Sequence, residues 1–145
     1  MLETTRILPI STTPINFIEG WEEYQLNGEQ YLKTAVGAYQ RRRNVFTPEI
    51  LYNIIAMAIE KFVMAALMRH GNLPYNHTIK DLVEAMEKTF PHSMDELREG
   101  LLALDKYQEI CDLESYTIKP PSMEEIPGML RLAEDLHLMV VNNLA

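Results

Sequence analysis

Arg131 and His137 stand six residues apart in Arg131-Leu-Ala-Glu-Asp-Leu-His137. A histidine titrates near neutral pH and can take up or deliver a proton. An arginine stays charged and can hold a phosphate through two parallel hydrogen bonds. Together these types suit proton transfer beside a phosphate. In a helix, six steps of about 100° leave the two side chains roughly 120° apart. They converge only across two chains or around a groove, and Glu134 and Asp135 between them repel phosphate. The plainer alternative is two hydrated residues flanking a packed face.

Other groups carry less chemistry. Arg41-Arg42-Arg43 is the one basic run; it can meet phosphates, or it can stay hydrated while complementing the negative end of a helix. Lys61 beside Glu60 reads as a structural ion pair or as the lining of a ligand groove. The four histidines, His70, His77, His92 and His137, lack metal-binding spacing such as His-Glu-x-x-His, so no metal site is expected. There is no glycine-rich phosphate loop, no G-x-S-x-G and nothing that implies a cofactor. Cys111, the single cysteine, reads as a buried core thiol. One cysteine permits no internal disulfide, which favours a reducing, cytoplasmic setting.

These side chains need a scaffold, and the pattern is helical throughout. The chain has 145 residues, the size of one domain. Residues 1–15, with two prolines and four threonines, read as an extended arm, and 16–145 as the folded domain. The opening Met-Leu-Glu-Thr-Thr-Arg does not read as a signal peptide. Trp21, Tyr24 and Gly28 suggest a lead-in helix interrupted at Asn27-Gly28. A first helix is expected over about 29–43, with Leu32, Ala35, Val36 and Tyr39 on one face. A second begins with Thr47 as cap, Pro48 and Glu49, and stops at Gly71. It is apolar on most sides, as a central helix is. The apolar stretch 50–68 is long enough for a membrane, but Glu60 and Lys61 near its middle favour a soluble core.

A third helix starts near His77-Thr78, with Thr78 and Asp81 resembling a capping box, and ends at Pro91. Ser93-Met94-Asp95-Glu96 predicts the start of a fourth, whose apolar positions Met94, Leu97, Leu101, Leu104 and Cys111 follow a helical repeat. Residues 112–122 lack a period. Ser122 and Glu125 predict an irregular first turn, then a regular helix from Pro127 to about Asn143. On it, Leu132, Ala133, Leu136 and Val140 should face the core with Met129. Leu130, Leu138 and Val141 form a second apolar strip that would face solvent in a single chain; it reads as a dimer contact rather than as a helix buried on two sides. The expected fold is all-α, an up-and-down bundle of four to five helices.

Ala58-Ile-Glu-Lys-Phe-Val-Met-Ala-Ala-Leu67, then Arg69-His-Gly-Asn-Leu-Pro74, then His77-Thr-Ile-Lys-Asp-Leu82 resembles the HEPN domain family. Glu60, Lys61, Ala65, Leu67, Pro74, His77 and Leu82 carry the likeness. Leu104-Asp-Lys-Tyr107, Ser115-Tyr116 and the Leu/Val-rich last helix follow the same plan more loosely. The likeness is sharp over 58–82 and looser over 29–144. Met64 stands where a lysine is common, Ser115 where an arginine usually precedes the tyrosine, and Leu132 where catalytic members often carry a polar residue.

The resemblance implies a two-fold homodimer and roles around nucleotides and RNA: ribonuclease toxins of toxin–antitoxin or defence systems, or partners of small nucleotidyltransferases. Catalytic members join an Arg, four to six residues and a His across the dimer to cut RNA without a metal, which points to Arg131 and His137. Lys61, Arg69 and His77 are the positions it offers for a ligand, although His77 also reads as a structural histidine tying its loop to the second helix. A non-catalytic binding protein is the first expectation, an endoribonuclease the second.

Charge is uneven. Thirteen basic and 21 acidic side chains leave −8. Residues 1–72 hold seven of each, whereas 73–145 hold six bases and fourteen acids. A broadly acidic surface repels nucleic acid and anionic membranes. An anion site should therefore draw on the first two helices.

Overall fold

The computed structural model describes residues 16–107 and 120–143. The N-terminal arm, Cys111, Ser115, Tyr116 and most of the 112–122 connection lie outside them. Within the described residues the chain is helical, with no strand. Five α-helices follow in order: α1 (Trp21–Arg41), α2 (Pro48–Arg69), α3 (Ile79–Thr89), α4 (Arg98–Leu104) and α5 (Ile126–Asn143). Short 3-10 turns, Asp105–Tyr107 and Met123–Glu125, continue α4 and precede α5.

α2 forms the middle. Its Thr47 cap accepts from the Ile50 amide at 3.3 Å, and Pro48 occupies the first turn. It ends where Gly71 takes φ 76°, the left-handed conformation that favours glycine. α2 passes the length and apolarity of a membrane span, but most of it is buried inside the protein, with Leu51, Ile55, Ala58, Phe62 and Leu67 fully enclosed. α1, α3 and α5 pack around it.

α1 pairs with α2 in the opposite direction. The Ile18 amide reaches the Met68 carbonyl at 2.7 Å, Trp21 lies against Arg69, and Gly28 sits beside Phe62. The expected break at Asn27-Gly28 does not occur: α1 runs unbroken for 21 residues. The reason is tertiary. A Cβ on Gly28 would lie 2.8 Å from two carbons of the Phe62 ring and 3.2 Å from the Lys61 Cβ. The glycine is the place where the two helices touch, and packing over the whole length offsets the roughly 1 kcal/mol that glycine costs a helix.

α3 starts as expected. The Thr78 hydroxyl accepts from the Asp81 amide at 3.1 Å and donates to the Asp81 carboxylate at 3.0 Å. Ile79, Leu82, Val83 and Met86 are buried. α4 differs from expectation. Ser93 caps nothing: residues 91–97 form successive turns, and the helix begins at Arg98. His92 adopts φ 68°, in the left-handed region that a helix start does not use, and Met94 is fully buried in the core, so this segment packs as turns. The Ser93 hydroxyl oxygen is buried with no hydrogen-bond partner among the described residues. α4 stops at Leu104 and tightens to a 3-10 turn ending at Tyr107.

α5 follows the prediction closely. Ser122 and Glu125 form the capping box around a 3-10 turn, and a regular helix runs from Ile126 to Asn143. Met129, Ala133, Leu136 and Val140 are buried. The second apolar strip is corrected at one position. Leu130 is only 7% exposed, because α1 runs alongside and covers that flank with Val36 and Tyr39. Val141 is half-buried, and Leu138 stands out at 55% exposure.

Candidate functional site

His137 lies in the seam where α1, α2 and α5 meet. Its ring stacks on Phe62 with centroids 4.7 Å apart and planes 25° from parallel. Its Nε2 is 2.8 Å from Glu29 Oε2, with the His137 side chain 25% exposed. The placement follows from the helices. Phe62 is fully buried on α2, Gly28 brings α1 against that ring, and the next residue, Glu29, then faces α5 across the seam. The ring nitrogen that could serve as a general base is therefore held by a carboxylate.

Arg131 is elsewhere. It is exposed and borders a groove of about 320 Å³ that Val36, Tyr39 and Gln40 of α1 share with Pro127 and Glu134. Arg131 shares its face of α5 with Asp135, Leu138 and Asn142, all exposed, whereas His137 turns about 120° away. One chain does not bring the pair together.

The three ligand-binding candidates each meet a group of the protein. The Lys61 ammonium sits 4.7 Å from the centre of the Tyr24 ring, and the Arg69 guanidinium 4.8 Å from that of Trp21. Cation–π contacts of this kind attach the first half of α1 to α2. His77 Nδ1 is 3.1 Å from Glu60 Oε1, joining the start of α3 to α2. The alternative pairing of Lys61 with Glu60 is not formed: Lys61 turns to Tyr24 and Glu60 to His77. The arginines 41–43 are exposed, with Arg43 over the Tyr39 ring at 4.9 Å.

A polar cluster that sequence reasoning missed joins the two 3-10 turns. The Tyr107 hydroxyl donates to the Glu125 carboxylate, which also accepts from the Ser122 amide and hydroxyl at 3.0 and 3.1 Å. Burial, with the hydrogen bond to Glu125, pushes the Tyr107 phenol up to about 12. The same hydrogen bond, helped by Ser122, lowers the Glu125 carboxyl. Tyr52 of α2 packs edge-on to Tyr107, donates to the Leu104 carbonyl at 3.0 Å, and is also raised well above the ordinary phenol range, chiefly by burial. The signal was half legible: the capping box named Glu125, but nothing local tied it to Tyr107. Among the described residues no three His, Cys, Asp or Glu side chains gather to hold a metal.

Another concavity, beside Leu138, is open to solvent. Leu138 and Met139 of α5 face Leu97 and Ser93 across a groove of about 700 Å³, and Asp95, Glu96 and Asp135 line it. Exposed apolar surface inside a polar rim is the usual form of a protein contact. No protein-family model, curated protein or solved structure matches this chain.

Proposed function

We propose that this chain is a HEPN-like up-and-down bundle that acts as a homodimer and as a binding protein, not as a catalyst. Its partner is a protein, of which a small nucleotidyltransferase is the kind that the family resemblance implies, or a nucleotide, in a cytoplasmic setting. The state of His137 carries the non-catalytic part. An imidazole stacked on a buried ring and engaged by Glu29, with Arg131 on another face, is arranged as a packing element. The open groove beside Leu138 supports a protein partner over a nucleotide, since small ligands are more often enclosed on most sides.

The decisive experiment is an RNA cleavage assay in chelator with the wild-type protein and His137→Ala. We expect no cleavage, or equal traces in both. Cleavage lost in the variant would establish the endoribonuclease reading and end this one. Light scattering of the pure protein checks the dimer.

A further inference from the structure

Two exposed patches on this chain are complementary in charge, and each carries a bare aliphatic side chain. The first is the connection from α1 to α2. Arg41, Arg42 and Arg43 are exposed there, none forms an ion pair among the described residues, and Val45 follows at 62% exposure. The second is the groove beside Leu138, with Asp95, Glu96 and Asp135 around it. The basic patch holds three of the seven basic residues of the first half. The acidic groove belongs to the half that carries the whole net charge.

We propose that these patches bind each other between two copies of the chain. The Arg41–Val45 connection of each protomer seats in the Leu138 groove of the other. This rests on the dimeric reading above and gives it a surface. The bundle geometry supports it. α1 and α5 run in opposite directions: Val36, Tyr39 and Gln40 lie beside Pro127 and Leu130, while Glu29 lies beside His137. The arginines follow Gln40, so they sit at the end of the bundle where α5 begins. Leu138 is eleven residues beyond Pro127, about 16 Å along the helix. The two patches thus lie toward opposite ends of one bundle. A two-fold axis perpendicular to α5 sets two bundles head to tail and places each basic end beside the partner's acidic groove. Both contacts form at once and the assembly closes. Charge complementarity orients the approach, and Val45 and Leu138 supply the apolar contact.

The test uses two full-length variants. One reverses the basic patch, Arg42→Glu with Arg43→Glu. The other reverses the groove, Glu96→Lys with Asp135→Lys. All four positions are exposed, and circular dichroism checks that helicity is kept. In analytical ultracentrifugation the wild type is expected to dimerise more weakly as salt is raised. Each variant by itself meets like charge with like and should dimerise roughly tenfold or more weakly. An equal mixture should recover the dimer, because reversed patch meets reversed groove and native patch meets native groove.

A variant that dimerises like the wild type, or a mixture no better than its parts, overturns the docking while leaving a dimer through another face. A monomeric wild type overturns both the docking and the dimeric reading. Val45→Ser supplies a second route that leaves every charge in place. It should weaken the wild-type dimer severalfold, and an unchanged dimer counts against the proposal.

Discussion

Gly28→Ala should destabilise this protein, although the same substitution ordinarily stabilises a helix. The added methyl would lie 2.8 Å from Phe62 Cδ1 and Cε1, whereas non-bonded carbons settle at about 3.5–4.0 Å. Something must move by roughly 0.7 Å. The ring is fully buried and His137 stacks on it, so it has little room, and the Lys61 Cβ blocks a second direction at 3.2 Å. Overpacking of this kind costs about 1–3 kcal/mol. Replacing a helical glycine by alanine returns about 0.5–1 kcal/mol. The net loss should be near 1 kcal/mol. Gly37, nine residues on in the same helix, is the control: its nearest outside atom would be an Arg41 guanidinium nitrogen at 3.9 Å, an ordinary contact. Gly37→Ala should therefore stabilise by about 0.5–1 kcal/mol. Urea unfolding at fixed protein concentration separates the two. With a slope near 2 kcal/mol/M, the midpoint falls by roughly 0.5 M in the first variant and rises by a similar step in the second. A Gly28→Ala protein as stable as the wild type would refute the close approach of α1 and α2, and with it the account of how Glu29 reaches His137.

Three further outcomes follow from the structure. The Tyr107–Glu125 cluster makes stability depend on pH at both ends. Glu125 is lowered, so its contribution holds above the ordinary carboxyl range and is lost as acid protonates it; Tyr107 is raised, so its contribution holds below about pH 10 and is lost between there and about 12. Tyr107→Phe should flatten the alkaline loss in urea midpoints measured against pH, and an unchanged profile would refute the assignment. Thr78→Ala should cost about 1 kcal/mol through loss of the α3 cap, read by thermal unfolding, and no shift would mean that water replaces the hydroxyl. Leu130→Ala should cost about 2–5 kcal/mol as a core truncation, while Leu138→Ala should leave the monomer within about 0.5 kcal/mol. Equal costs would mean that α1 does not cover Leu130.

What could be read from the chain follows the reach of each signal. Caps act over three or four residues, so Thr47, Thr78 and the Ser122–Glu125 box are where the sequence pattern placed them. Helical spacing identified the core side of α5 because it depends on one helix only. Failures arose where a distant element decides. Asn27-Gly28 looked like a break because glycine disfavours a helix locally; Phe62, 34 positions later, makes it a contact. Ser93-Met94-Asp95-Glu96 looked like a cap, but burial of Met94 outweighed it. Leu130 looked solvent-facing because the path of α1 over that flank is not written in α5. The residues around His137 were invisible for the same reason: Glu29 is 108 positions away.

The geometry of α5 sets catalysis and the proposed dimer against each other. Arg131, Asp135, Leu138 and Asn142 share one exposed face, and His137 lies on the flank against α1 and α2. A dimer formed through the Leu138 side brings Arg131 toward the partner's acids, not toward the partner's imidazole. An Arg–His site across two chains would need the opposite flank to open. That requires breaking the Glu29 contact and unstacking His137 from Phe62, a ring with no exposed surface. Glu29→Gln weakens the first restraint and leaves the second. If the stack is what keeps the histidine out of chemistry, this variant remains inactive on RNA in chelator. Cleavage gained by Glu29→Gln would show instead that a single carboxylate holds a competent base in check.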